Sequence, residues 1–100
     1  MGNWKEFEKN IGIVYVNRKV DIYFYANKEL PVIKSITSSC GCSSANYDVE
    51  TKRLSVNYKP GSIPTHLLNQ GYYTTTKYIT VTYEDDSKDI LSFTAKVYKK

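Results

Sequence analysis

The chain has 100 residues, enough for one domain with one small core. Hydrophobic residues make up 41% and charged residues 24%, which excludes a disordered chain, and no apolar run approaches the roughly 18 residues of a membrane-spanning helix. The net charge is +4, but Arg18 and Arg53 are the only arginines and the lysines are scattered from Lys5 to Lys100. A nucleic-acid face concentrates its cations, so a solvated surface is expected and no nucleic-acid partner.

Residues 1–9 read as an N-terminal arm, followed by a single domain over residues 10–100. Trp4 and Phe7 put two aromatics on this polar stretch. They serve either to lock into a neighbour or to cover the end of the domain's own core. The opening Met1-Gly2-Asn3-Trp4-Lys5-Glu6 lacks the basic and then apolar segments of a secretory leader. The expectation is therefore a cytoplasmic or virion protein, with an extracellular or envelope location as the alternative.

From there the pattern is alternation, the period of a half-buried strand. Ile11–Val16 and Val32–Thr37 are strand-like, and residues 44–49 suit a short edge strand. The clean cases follow a strict beat. Val20, Ile22, Phe24 and Ala26 share one face; so do Leu54, Val56 and Tyr58; so do Ile79, Val81 and Tyr83; so do Leu91, Phe93, Ala95 and Val97. Asn17-Arg18, Asn27 to Pro31 and Asp85-Asp86-Ser87 carry turn chemistry. Lys59 to Thr76 reads as one long loop. About seven short antiparallel strands without helices predict an all-β fold, an immunoglobulin-like sandwich.

Chemistry-bearing residues are few. His66 is the only histidine, and no nucleophile, base and orienting group fall into a recognisable set, so no enzyme and no cofactor is expected. Cys40-Gly41-Cys42 is the one compact constellation. It leaves three readings open. The thiols are structural and flank a strand-bending glycine, or form a tight, strained and redox-active disulfide, or supply two of the ligands a metal needs. Contact surfaces are better represented, because the chain holds 10 tyrosines and tyrosine offers area and a hydroxyl at low entropic cost. Tyr23 and Tyr25, with Tyr78 and Tyr98, fall on outward faces, and Tyr72 and Tyr73 fall in the long loop. With Trp4 and Phe7 these are the candidate partner-binding residues.

Ser39-Cys40-Gly41-Cys42-Ser43, preceded by Pro31-Val32-Ile33, resembles a family of short immunoglobulin-like modules of unknown function from bacteria and their phages. Gly12-Ile13, Phe24-Tyr25-Ala26-Asn27, Gly71-Tyr72-Tyr73 and Lys77-Tyr78-Ile79-Thr80-Val81 extend the likeness over most of the chain. Glu50-Thr51-Lys52 departs from it, standing where that family has a Pro-Gly pair. The resemblance, with that family's likeness in fold to major-sperm-protein and Hydin-type modules, implies a non-enzymatic module that docks on a larger assembly. A phage virion, with the chain as an auxiliary or decoration protein on a capsid, is the concrete form. The alternatives are a cell-envelope adhesion or carbohydrate-binding module with aromatic platforms, and a thiol-based metal or redox protein.

Overall fold

The computed structural model describes residues 3–39 and 43–99. Cys40 and Cys42, and every expectation resting on them, lie outside the described residues.

Seven strands form two facing sheets. In chain order they are β1 (Glu8–Tyr15), β2 (Val20–Tyr25), β3 (Ile33–Ser38), β4 (Ser43–Asp48), β5 (Arg53–Tyr58), β6 (Tyr72–Tyr83) and β7 (Lys88–Tyr98). One sheet runs β1-β7-β6-β3, the other β2-β5-β4. The β4–β5 and β6–β7 hairpins stay within a sheet and the other connections cross between layers, as in an immunoglobulin-type sandwich. The core is the interdigitated inner faces. Ile22, Phe24, Leu54, Val56 and Tyr58 come from the smaller sheet, and Ile79, Val81, Tyr83, Leu91, Phe93, Ala95 and Val97 from the larger. The four alternating sets read from the sequence are thus the core-facing sets, Val20 alone being only half-buried. The two layers interlock through aromatic edges, with Tyr58 meeting Phe93 at a centroid distance of 5.0 Å.

The turns follow their local chemistry. Asn17 (φ 62°) and Asp86 (φ 70°) take the left-handed conformation that short polar side chains tolerate. At the β6–β7 hairpin the Asp85 carboxylate accepts the Ser87 N–H and hydroxyl, at 3.0 and 2.6 Å. Those bonds hold its pKa below the usual carboxylate value.

Three expectations are corrected. First, not every strand is antiparallel: β1 runs parallel to β7. The N-terminal segment switches sheets. Trp4 bridges Ala26 beside the smaller sheet, and the chain then crosses to pair along β7. Second, the boundary after residue 9 falls inside a strand, because Glu8 and Lys9 belong to β1, and Trp4, only 3% exposed, packs into the core. Third, the long loop ends at Gly71. Its last residues, Tyr72 to Thr76, pair with Thr94 to Tyr98 and extend β6. The alternation there is invisible in the sequence because threonines occupy successive positions on both faces. The rest of the loop holds a single 3-10 turn at Thr65–Leu67, while Pro60 and Ile63 anchor it by burial.

Candidate recognition face

The ladder registers place side chains in rows across the outer face of the larger sheet. Tyr15, Tyr98 and Tyr72 form one row over β1, β7 and β6. The next row is Ile13, Lys96 and Thr74, and the one after is Asn10, Thr94 and Thr76. Beyond it lie Glu8, Ser92 and Tyr78. Cross-strand neighbours on one face interact directly. Tyr72 and Tyr98 stack with centroids 5.0 Å apart and planes 19° apart, and the Lys96 ammonium approaches the Tyr72 ring to 5.2 Å. The Thr76 and Thr94 hydroxyls are hydrogen-bonded at 2.9 Å. Tyr15, Tyr78, Ile13 and Ile90 remain exposed. This wide face is therefore aromatic and hydroxylated, with few charges.

The outer face of the smaller sheet differs. Asp21, Arg53, Asn57 and Asp48 share it with Tyr23 and Tyr25, and Asn57 donates to Asp21 at 3.1 Å. It has the character of an ordinary wet face.

The open sides between the sheets also differ from each other. Between β1 and β2 lies a space of about 550 Å³ bordered by Glu6, Glu8, Lys9 and Asp21, where Lys9 pairs with Glu6 at 2.6 Å. Between β3 and β4 lies a groove of about 410 Å³ walled by Leu30, Val32, Ile33, Ile36, Tyr47 and Val49. Val32 and Val49 are 70% and 74% exposed at its rim.

The candidate partner-binding residues do not converge. Trp4 is corrected outright. It is buried against the Tyr47 ring at 5.8 Å, and its Nε1–H donates to Asp89 at 3.1 Å, so no partner reaches it. Phe7 is 36% exposed, with its backbone carbonyl accepting the Ser92 N–H. Tyr23 and Tyr25 lie on the smaller sheet, Tyr23 beneath the Arg53 guanidinium at 4.4 Å. Tyr72 and Tyr73 are not loop neighbours presenting one surface. They point to opposite sides of β6, Tyr72 outward and Tyr73 against the core. The Tyr73 hydroxyl donates to the Gly61 carbonyl at 3.2 Å and ties the preceding loop to the strand, in the manner of the tyrosine corner of immunoglobulin sandwiches. Tyr78 and Tyr98 do face outward as alternation requires. Tyr15 and Asn10 are not placed on this face by the sequence, because β1 alternates poorly around a bulge.

Burial raises three tyrosine hydroxyls, Tyr47, Tyr58 and Tyr83, above the ordinary value, the last two furthest. Burial, then the facing Tyr73, pushes the Tyr58 hydroxyl up to about 12. Burial, then its hydrogen bond to Asp89 at 2.7 Å, pushes Tyr83 up to about 12 as well. Both are structural groups of the core. His66 is exposed in the 3-10 turn. Among the described residues no three metal-ligating side chains cluster, and no helix is long and apolar enough to cross a membrane.

No family model matches the chain, and no curated protein matches it in sequence. Among solved structures the fold is similar to that of a point mutant of the SrpA adhesin from Streptococcus sanguinis. The TM-score is 0.52 and the identity 14%, over 86% of this chain and 54% of that one. The chain spans about half the length of that adhesin chain, and the likeness is one of fold.

Proposed function

We propose that the protein is a non-enzymatic recognition module of the adhesion type, holding its target on the outer face of the larger sheet. The observation that carries this reading is the Tyr15–Tyr98–Tyr72 row, set beside hydroxyl-bearing rows on three adjacent strands. Aromatic rings on a rigid sheet give contact area with little loss of side-chain entropy on binding. The fold likeness to an adhesin supports the reading, and an extracellular or envelope setting goes with it.

A second reading is the accessory protein docked on a larger assembly such as a phage capsid. It is favoured by the β3–β4 groove, where exposed Val32 and Val49 rim an apolar trough. Contiguous exposed apolar surface of this kind marks protein contacts.

Beads coated with the protein and washed over intact cells and over purified virions separate the two. Tyr15→Ala with Tyr78→Ala is expected to reduce retention on cells about tenfold, the loss of one to two kcal/mol of contact. Tyr25→Ala on the opposite face should leave it unchanged. Cell retention that survives the first pair would overturn the adhesion reading. Retention on virions that is lost with Val32→Lys and Val49→Lys would put the second reading in its place.

A further inference from the structure

The same face carries a built notch. The ladder between β1 and β7 slips between Asn10 and Gly12, so β1 bulges there. Gly12 sits at φ 74°, and a Cβ built on it would meet nothing within 4 Å. At this bulge lies a depression of about 230 Å³, bordered by Asn10, Gly12, Ile13, Thr74, Thr94 and Lys96. Bulges re-aim side chains, and they are frequent beside binding sites.

The chemistry of the lining is specific. The Asn10 Oδ1 accepts the Gly12 N–H at 2.9 Å, which leaves the carboxamide nitrogen as a donor toward solvent. Thr74 adds a hydroxyl that both donates and accepts, Thr94 adds one already bonded to Thr76 with a lone pair left to accept, and Lys96 adds an ammonium donor. Ile13, 57% exposed, supplies an apolar wall. The tyrosine row lies two residues further along each strand, about 6–7 Å away. The volume is below the roughly 300–1,000 Å³ of drug-sized pockets, so it admits a single ring.

We propose that this notch is a subsite for one uncharged pyranose unit of a glycan. The sugar's hydroxyls engage Asn10, Thr74, Thr94 and Lys96, its apolar face rests on Ile13, and the adjoining sugar extends over Tyr98 and Tyr72. A pyranose matches the site because it presents many hydroxyls around an apolar ring face, as the notch presents mixed donors and acceptors around Ile13. The assignment rests on the adhesion reading and names its target class. A site this small and open binds one ring weakly, so useful retention comes from repeated display and avidity.

The test titrates isotope-labelled protein with the methyl glycosides of glucose, galactose and mannose, and with glucuronate as a charged comparator, following backbone amide shifts. The expected result is saturable movement at Gly12, Thr74 and Thr94 for at least one neutral glycoside. Affinity should fall about tenfold in Thr74→Val with Lys96→Met, the cost of two lost hydrogen bonds. Gly12→Ala, which strains the bulge at φ 74°, should weaken binding as well. If strain at φ 74° unfolds that variant, the Thr74/Lys96 pair decides alone. Absence of movement at these amides, unchanged affinity in the Thr74/Lys96 variant, or a response to glucuronate only would each overturn the proposal. Bead retention that the Thr74/Lys96 variant keeps and the Tyr15/Tyr78 variant loses removes the sugar and leaves the recognition face standing. Retention that neither pair disturbs removes both.

Discussion

At the scale of residues, the buried tyrosines set the alkaline limit of the fold. Tyr58 and Tyr83 titrate near 12 in the folded state and near 10 in an unfolded chain. Between those values the unfolded state holds fewer protons than the folded one, so stability falls as pH rises. The stabilisation is fully present below pH of about 10 and is lost as pH climbs through about 12. Urea midpoints measured from about pH 9 to about pH 12 should therefore drop steeply. A flat profile would show that neither hydroxyl is held neutral by its surroundings. Replacing Tyr73 by Phe removes the hydroxyl facing Tyr58 and the bond to Gly61. It should cost about 1 kcal/mol by the same urea assay.

At the scale of elements, the N-terminal segment shows what the sequence concealed. Alternation in β2, β5, β6 and β7 was legible because each buries one face of regularly spaced apolar residues. The sheet switch was not, since it depends on long-range bonds that no local pattern encodes. Asp89 is the clearest case. One of its oxygens accepts from Asn3 at 2.9 Å, from Trp4 at 3.1 Å and from Tyr83 at 2.7 Å, and so fastens the start of the chain to the start of β7. In the sequence it is one more carboxylate after a turn. The recognition face was half legible for a related reason. Tyr78 and Tyr98 follow from strand period, but the Tyr15–Tyr98–Tyr72 row requires the parallel register of β1. Asp89→Ala strips three donors of their acceptor, two of them on buried aromatics. It should cost about 2–3 kcal/mol and shift Trp4 emission to the red as the N-terminal segment loosens. Emission and stability equal to those of the parent protein would mean that Trp4 is held by packing on Tyr47 alone.

At the scale of the whole molecule, one core must stabilise two outer faces of different composition. The inner residues of both sheets meet in a single layer, so the sandwich is expected to unfold in one cooperative step. That rigidity lets the outer face of the larger sheet keep side chains in fixed rows without burying them. Phe93 tests the dependence. It is fully buried, lies on β7 between the pairing partners Lys9 and Lys77, and contacts Tyr58 across the layers. Truncation to alanine removes the ring from the centre of the sandwich and should cost about 3–5 kcal/mol. In a domain of this size each kcal/mol lowers the melting temperature by roughly 4–8 °C, so Phe93→Ala should melt more than 10 °C below the parent, with the drop large enough to be read at low protein concentration. Lys96→Met, on the same strand but outward, should change melting by no more than about 0.5 kcal/mol equivalent. The contrast matters for function: a variant that loses binding with its melting temperature intact reports on the face, whereas one that loses both reports on the core. Equal losses for Phe93→Ala and Lys96→Met would mean that the outer rows help hold the sheets together, and the separation between scaffold and recognition surface would fail.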